Sequence, residues 1–232
     1  MKLYIYDTEG YEEEPEQFAK ATGWPVQILG RKWSSKQKLK HASPESLLKA
    51  IETAEADDDS ILLIDSGTAV CEFYRDAYAI KHGKSGRDIP YAVVDAAMKP
   101  VVNALKQAEC HWVLTLMEKD DKLDNRTIGK KGKGSKNLEY AARIKIHCEQ
   151  QKPPKNTKVT VRDQRSLKDS EPAVFIDPTV DDLAFLMEPY AKGGTRVLKA
   201  HTFGRDAGGK TGTAMRLAMA LARQLGKPEG GA

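Results

Sequence analysis

The chain has few cysteines, little excess of one charge sign and no long apolar run. Its three cysteines, Cys71, Cys110 and Cys148, show no C-x-x-C spacing. This argues against a zinc site or a disulfide framework and favours buried thiols in a reducing compartment. No segment stays apolar over the roughly 20 residues that cross a bilayer, and no signal peptide is recognisable. We therefore expect a cytoplasmic protein that makes no membrane contact.

The charge balance excludes a general polycation. Lysine and arginine number 37 against 33 aspartates and glutamates, which leaves a net charge of +4. Contact with nucleic acid would therefore need a local basic patch. A length of 232 residues with 40% hydrophobic content suits the core of one α/β domain. We expect a single domain over residues 1–225 and a flexible tail at 226–232.

Eight apolar segments have the length and composition of β-strands. They span residues 2–7, 25–29, 60–66, 110–117, 143–148, 158–162, 173–176 and 195–202. Helical patterns fill most of the early gaps. Ser43 is the predicted N-cap of one helix and Pro44 its first residue, and a second helical pattern lies between Asp88 and Ala108. The later strands follow one another more closely. This order predicts an α/β fold with a mainly parallel sheet flanked by helices and an antiparallel end section.

A phosphate-binding motif lies close to the C-terminal end. The segment 204–211 matches G-x-x-x-x-G-K-[ST]. Its glycines allow backbone N–H groups to turn toward phosphate oxygens, Lys210 brings a positive charge to the β and γ phosphates, and the Thr211 hydroxyl suits Mg2+. A strand is predicted before the motif and a helix over 213–225 after it, which is the required order. A chance glycine-rich turn before a helix is the alternative.

The predicted nucleotide-binding residues are consecutive. They are Gly204, Arg205, Asp206, Ala207, Gly208, Gly209, Lys210, Thr211 and Gly212.

An aspartate ends the most apolar of the predicted strands. The segment 60–66 reads Ser-Ile-Leu-Leu-Ile-Asp-Ser, so Asp65 follows four aliphatic residues. A carboxylate at this place is typical of the strand that holds the water shell of Mg2+ in phosphate-loop ATPases. The alternative is that Asp65 caps the next helix. Because a phosphate loop is present elsewhere in the chain, we favour metal binding by Asp65 together with Thr211.

Three segments resemble the core motifs of RecA/RadA-type ATPases. They are residues 4–10 (Tyr-Ile-Tyr-Asp-Thr-Glu-Gly), residues 62–69 (Leu-Leu-Ile-Asp-Ser-Gly-Thr-Ala) and the phosphate loop. The chain is also similar to the short RecA-core ATPases of phages and mobile elements. The resemblance implies a RecA-like fold that hydrolyses ATP with Mg2+, with Lys210 as a catalytic residue. It also implies that Glu9 polarises the attacking water. The alternative for Glu9 is a solvated glutamate in a turn.

The motifs occur in rotated order. The phosphate loop is followed by one helix and a short tail, whereas the strand that usually comes next in a RecA-like ATPase opens the chain at Lys2. The sequence therefore predicts a circularly permuted core. Exposed connections far from the phosphates tolerate such new ends. The segment 188–195, rich in glycine and helix-stopping residues, is the predicted joint between the older ends.

The resemblance suggests three further catalytic candidates. Glu118 ends a strand that is similar to the family's sensor strand, at a place where a glutamine is more usual. A carboxylate there would repel phosphate oxygens unless a cation intervenes. Arg162 and Arg165 lie on or after a strand that resembles the one on which RecA-like ring ATPases carry basic residues that reach a neighbour's γ phosphate. This resemblance implies a homo-oligomeric ring or filament. Ordinary surface arginines are the alternative.

Two basic, glycine-containing segments are predicted to be loops that bind single-stranded DNA. The first, 119–137, includes Lys130, Lys131, Lys133 and Lys136, and the second includes Lys84 and Arg87. In the resembling family such loops grip the DNA backbone. Binding would therefore be sensitive to salt and weakly selective for sequence. Solvated charged loops are the alternative.

Other functional classes remain open at this point. A regulatory ATPase without DNA, or an interaction module whose oligomeric state is set by nucleotide, would use the same phosphate loop. A kinase-like phosphotransferase is a third class, but the sequence offers it neither a run of lid-like arginines nor an acceptor site. ATPase activity measured with and without single-stranded DNA would separate the first two.

Overall fold

A computed structural model gives the fold of this chain. It describes residues 2–8, 13–29, 42–57, 59–123, 126–151, 156–163, 172–187, 190, 197–204 and 207–226. The predicted tail from residue 227 onward lies outside the described residues. So does the predicted joint at 188–195, apart from Tyr190.

The described strands form one mixed sheet. They are β1 (Lys2–Asp7), β2 (Val26–Leu29), β3 (Ser60–Asp65), β4 (His111–Leu123), β5 (Arg126–Lys133), β6 (Ile144–Gln150), β7 (Thr157–Asp163), β8 (Ala173–Ile176) and β9 (Lys199–Gly204).

The strand order is β2-β1-β3-β4-β9-β6-β7-β8, with β5 paired to β4 outside this row. The pairings from β2 to β6 are all parallel. β7 and β8 add antiparallel pairings at one end. The predicted α/β architecture, a mainly parallel sheet with an antiparallel end section, is confirmed.

Helices cover both faces of the sheet. They are α1 (Glu13–Thr22), α2 (Pro44–Glu55), α3 (Gly67–Lys81), α4 (Tyr91–Gln107), α5 (Lys136–Ala141), α6 (Val180–Met187) and α7 (Ala207–Leu225), with a 3-10 turn at Gly86–Asp88. One core cluster lies between the sheet and α1, α6 and α7, and it includes Phe18, Leu183 and Leu217. The other lies under α2, α3, α4 and α5, and it includes Ile51 and Met98.

Two local features follow the sequence closely. Ser43 caps α2, its side chain accepting a hydrogen bond from the Ser46 N–H, and Pro44 occupies the first helical position. This is the arrangement that a Ser-Pro pair favours, because proline lacks the backbone N–H, which has no intrahelical acceptor in the first turn.

The three cysteines are free and buried. Burial raises the pKa of the Cys148 thiol to about 11. The interpretation of the cysteines as core thiols is confirmed.

One predicted loop is wrong. The sequence predicts a mobile loop over 119–137, but β4 continues to Leu123 and pairs antiparallel with β5, from Met117↔Lys133 to Leu123↔Arg126. This segment is rich in lysine and glycine and contains no apolar run, so a search for apolar runs does not predict its strands. Backbone pairing between two segments that are adjacent in sequence forms the hairpin nonetheless. We call residues 117–133 the β4–β5 hairpin.

The end of α7 lies beside the start of β1. The indole N–H of Trp24 donates to the Gly226 carbonyl at 3.2 Å, directly after α7. Pro25, the next residue after Trp24, accepts from the Leu3 N–H at 3.0 Å. The last helix thus returns to the edge of the sheet at which the first strand begins.

Within the described part of the chain, the length and hydropathy that a membrane-crossing helix needs occur in none of the helices.

Candidate phosphate-binding site

Four neighbouring strands direct their carboxyl ends to one edge of the sheet. Because β1, β3, β4 and β9 are parallel, Asp7 pairs with Asp65, and Met117 pairs with Gly204. Ligands of open α/β sheets bind outside the carboxyl ends of the strands. The residues that the sequence assigns to phosphate and metal therefore share one edge, although they lie far apart in the chain.

The phosphate loop has a shorter non-helical part than predicted. β9 ends at Gly204 and α7 begins at Ala207, six residues before the predicted helix start at 213. Arg205 and Asp206 lie outside the described residues, as do the side chains of Ala207 and Gly208. The first turn of a helix has N–H groups without an intrahelical acceptor. Together with the helix dipole, such groups favour an anion at this position.

The Asp65 carboxylate joins the two functional groups of the loop. The Thr211 hydroxyl donates to Asp65 Oδ2 at 3.0 Å, and Lys210 Nζ lies 3.7 Å from Asp65 Oδ1. The Thr115 hydroxyl, from β4, also donates to Oδ1. An acid, a lysine and two hydroxyls from three elements thus converge. We call Asp65, Thr115, Lys210 and Thr211 the Asp65 cluster.

The Asp65 cluster is buried. Lys210 is 1% exposed, and Asp65 and Thr211 are each 2% exposed. A charged group is costly to bury unless it is paired and hydrogen-bonded. Lys210 and Asp65 offset each other's charge here, and the Thr202 hydroxyl donates to the Lys210 carbonyl at 3.1 Å. The geometry therefore brings a buried positive group and a buried negative group together at the carboxyl end of the sheet.

Asp65 does not cap α3. Ser66 is the N-cap, and its hydroxyl accepts from the Ala69 N–H at 3.3 Å. The alternative explanation of Asp65 as a helix cap is therefore wrong. Its side chain is directed instead to the first turn of α7.

The end of β1 is bonded to the same place. The Thr8 N–H and hydroxyl both donate to the Asp65 carbonyl, at 2.6 and 2.9 Å, and Thr8 Oγ1 accepts from the Ser66 N–H at 2.8 Å. Thr8 is 3% exposed. Glu9, the predicted general base, is the next residue and lies outside the described residues. The last described residue before it is thus held against the backbone of Asp65.

Gly204 is required by a close approach of backbone. A Cβ at this residue would stand 2.4 Å from the Cys148 carbonyl oxygen of β6. No side chain fits at that distance unless backbone moves. The start of the phosphate loop is therefore packed directly onto β6. A Cβ added at Gly209 or Gly212 would lie no closer than 3.5 Å to a neighbouring atom, so steric contact does not require glycine at these two positions.

Glu118 has a basic partner. Its Oε2 lies 2.9 Å from His147 Nε2, and its side chain is 6% exposed. The imidazole of His147 is therefore a hydrogen-bond partner of this carboxylate. His147 on β6 was missed as that partner because it follows Glu118 by 29 positions and belongs to no motif.

Of the two arginines expected to reach a neighbouring subunit, the structure describes Arg162. Arg162 lies on β7, paired with Lys145 of β6, and is exposed. It stands two strands away from β9 in the sheet. Arg165 lies outside the described residues.

The predicted DNA-binding lysines lie mainly on the β4–β5 hairpin. Lys130, Lys131 and Lys133 belong to β5, and Lys136 begins α5. Lys133 Nζ forms an ion pair with the Glu72 carboxylate of α3. Lys131 is half-buried, and the side chains of Lys130 and Lys136 lie outside the described residues.

The second basic segment follows α3. Lys84 and Arg87 are exposed, and Arg87 belongs to the 3-10 turn. α3 leaves the carboxyl edge at Gly67, and α4 returns with the Tyr91 ring 5.9 Å from Lys119 Nζ of the hairpin. The start of α4 therefore lies close to the hairpin.

Sequence reasoning missed Thr8 and Thr115 as well as His147. Thr115 is the one polar residue between Trp112 and Met117, so a lone hydroxyl in an apolar strand was a usable signal. Thr8 lies beside the predicted general base, but no local pattern predicts its bonds to a strand 57 positions later.

Comparison of the chain with protein-family models, with curated proteins and with solved structures finds no match.

Proposed function

We propose that this chain is a circularly permuted, RecA-like ATPase that uses Mg2+ and acts as a homo-oligomer on single-stranded DNA. The observation that carries the proposal is the Asp65 cluster. Lys210 and Thr211 of the glycine motif contact the carboxylate of Asp65, and Thr8 holds its backbone. A glycine-rich match alone is weak support for a nucleotide site. Contact of the motif's lysine and threonine with an aspartate at the end of a strand is stronger support.

The donor set fits a magnesium triphosphate. Asp65 and Thr211 supply the carboxylate and hydroxyl oxygens that Mg2+ prefers, and this ion usually keeps waters and phosphate oxygens as its other ligands. Lys210 supplies the cation for the β and γ phosphates. When bound, Mg2+ would neutralise charge that develops on the transferred phosphoryl group.

Each residue has a separate part in hydrolysis. Lys210 and the N–H groups at the start of α7 bind the phosphates, and Asp65 and Thr211 hold the metal with its waters. Glu9 orients the attacking water and accepts its proton. The bonds of Thr8 to Asp65 and Ser66 support this role, because they bring the residue before Glu9 to the site.

The meeting of the first strand with the last helix supports the permutation. Gly226, at the end of α7, is bonded to Trp24, and the following Pro25 is bonded to Leu3 at the start of β1. A connection between α7 and β1 would span neighbouring positions at the edge of the sheet opposite the phosphate loop. Exposed connections of this kind tolerate new termini.

Charge supports the proposed partners. The β4–β5 hairpin and the segment with Lys84 and Arg87 carry lysine and arginine, the residue types that bind a nucleic-acid backbone. Arg162 is exposed on a strand near the end of the sheet, where a second subunit would reach it. A finger supplied in trans would make hydrolysis depend on assembly.

The test is ATP hydrolysis with and without single-stranded DNA over a range of salt concentrations. We expect Mg2+-dependent hydrolysis that DNA stimulates, with the stimulation fading as salt rises. Lys210→Ala should abolish hydrolysis, whereas Lys49→Ala, an exposed lysine on α2, should not. Absence of hydrolysis in the unaltered chain under all conditions would contradict the enzymatic proposal.

A regulatory ATPase without DNA is the second candidate. The ion pair of Lys133 with Glu72 favours it, because one of the proposed DNA-binding lysines already has an anionic partner. Hydrolysis that is indifferent to DNA at every salt concentration would support this candidate and exclude the motor.

A further inference from the structure

Glu118 occupies the point at which β4 leaves the parallel sheet. Met117 is the last residue of β4 that pairs with β9, opposite Gly204, and it also pairs with Lys133 of β5. Glu118 then pairs with Gly132, within the hairpin alone. A change in the direction of β4 at this residue would therefore move the hairpin relative to the phosphate loop.

His147 contacts both sides of this junction. Its Nε2 lies 2.9 Å from Glu118 Oε2, and its ring stacks on Phe203, with ring centroids 4.7 Å apart and planes at 9°. Phe203 immediately precedes Gly204, the first residue of the phosphate loop. One imidazole thus lies between the root of the hairpin and the start of the loop.

Backbone packing makes the link to the loop stiff. The Cys148 carbonyl, next to His147, approaches Gly204 so closely that an added Cβ would stand 2.4 Å away. Phe203 is 7% exposed and pairs with His147 in the parallel ladder. Tightly packed interiors transmit displacement rather than absorbing it. A shift of the first residue of the phosphate loop would therefore displace His147.

The link to the hairpin is electrostatic. The Glu118 side chain is 6% exposed and His147 is 24% exposed, so the carboxylate is largely removed from water. Truncating one partner of such a pair leaves the other poorly solvated. The Glu118 carboxylate is therefore linked to the imidazole by a hydrogen bond that is largely shielded from water.

We propose that His147 is a positioning residue that couples nucleotide in the phosphate loop to the conformation of the β4–β5 hairpin. The contacts run from Gly204 and Phe203 through His147 to Glu118 and the strand that carries Lys131 and Lys133. This inference rests on the proposed function, since it requires nucleotide at the loop. It assigns a role to a residue outside every motif of the sequence.

The experiment measures amide hydrogen exchange in β5 with and without a non-hydrolysable ATP analogue and Mg2+. Nucleotide binding is measured separately by calorimetry, and each exchange run uses the analogue at more than tenfold its own Kd for that variant. In the unaltered chain we expect β5 exchange to change by about threefold or more on binding, the range of local opening. In His147→Ala this response should disappear although the nucleotide is bound.

Two further variants and a control make the result specific. Phe203→Leu keeps an apolar side chain but removes the stack, so it should also lose the response, and it serves if His147→Ala fails to fold. His147→Gln retains a donor for Glu118 and should restore part of it. His82→Ala, an exposed histidine after α3, should respond like the unaltered chain.

The outcomes separate the inference from the proposed function. A full β5 response in both His147→Ala and Phe203→Leu would overturn the inference, and so would an unaltered chain that binds nucleotide without any β5 response. An unaltered chain that binds no nucleotide in the calorimeter would instead overturn the proposed function, and the coupling with it.

Discussion

The Asp65 cluster and the β4–β5 hairpin lie at the same edge of one sheet, yet they hold their charges in opposite ways. In the cluster, Lys210 and Asp65 are almost fully buried and meet at 3.7 Å. In the hairpin, the ion pair of Lys133 and Glu72 leaves 42% and 33% of the two side chains exposed. A buried charge depends strongly on its partner, whereas an exposed pair contributes about 0–1 kcal/mol.

The difference suggests a division of labour. Fixed, desolvated groups suit chemistry, because they need little rearrangement when charge develops. Partly exposed lysines on a two-stranded ribbon suit a partner whose sequence and position vary, because each contact is weak and replaceable. Under the proposed function, the Asp65 cluster binds the nucleotide and the β4–β5 hairpin binds the DNA.

The largest expected effect is on the cluster. Lys210→Ala should weaken nucleotide binding by about 3–5 kcal/mol, or about 100-fold or more, because it removes the cation proposed to pair with the β and γ phosphates. Calorimetry with the ATP analogue measures this loss, and Lys49→Ala is the matched control. A change of less than about tenfold would place the phosphates elsewhere.

The comparison can be sharpened with one glycine from each region. An added Cβ would stand 2.4 Å from backbone at Gly204 but 2.5 Å from the end of the Leu116 side chain at Gly132. Gly204→Ala should therefore lower the free energy of unfolding by about 1–3 kcal/mol, as overpacking does. Gly132→Ala should cost clearly less, since a leucine terminus can rotate. Denaturant melts measure both, and equal costs would mean that the two regions are equally rigid.

Acid should lower the free energy of unfolding through two histidines on β4 and β9. Burial lowers the pKa of His201 to about 3 and that of His111 to about 4, the latter partly offset by Asp59. His111 Nδ1 also accepts from the Leu198 N–H at 3.0 Å. The unfolded chain binds protons at these residues below about pH 6.5 whereas the folded chain does not.

The stability contributed by each neutral histidine is thus fully present above about pH 6.5 and is lost as pH falls toward about 4 for His111 and about 3 for His201. The expected slope is about 1.4 kcal/mol per pH unit for each histidine. Urea melts at several pH values measure this slope, and His201→Leu should flatten it. An unchanged slope in that variant would exclude His201 as the cause.

The smallest effect is expected in the hairpin. Replacing Lys131 and Lys133 with alanine should lower the slope of log affinity for single-stranded DNA against log salt by about 0.7 for each phosphate that is no longer neutralised. Glu72→Gln should raise the affinity slightly, because it releases Lys133 from its ion pair. Fluorescence anisotropy over a salt series measures both. A slope that does not change would exclude these lysines from the DNA interface.

The sequence predicted the parts of the molecule whose signals are local. Apolar runs marked the strands, the Ser43-Pro44 pair marked a helix start, and the glycine motif marked Lys210 and Thr211. It failed where a feature depends on pairing in three dimensions and not on local residue type. The hairpin was missed because its strands carry lysines and glycines, and its pairing is visible only in three dimensions.

The same limit applied to the candidate site. That Ser66 rather than Asp65 caps α3 depends on side-chain direction, which spacing does not fix. His147 as the partner of Glu118 depends on the order of strands in the sheet. Long-range register, rather than residue preference, decided these features.

The most direct test concerns Glu9, which the first strand should bring to the nucleotide held by the last helix. Glu9→Gln should bind the ATP analogue within about threefold of the unaltered chain and lose about 100-fold or more in single-turnover hydrolysis, the scale of general-base catalysis. Glu16→Gln, an exposed glutamate on α1, should retain both properties. Normal turnover in Glu9→Gln would contradict the claim that the two ends of the chain serve one triphosphate.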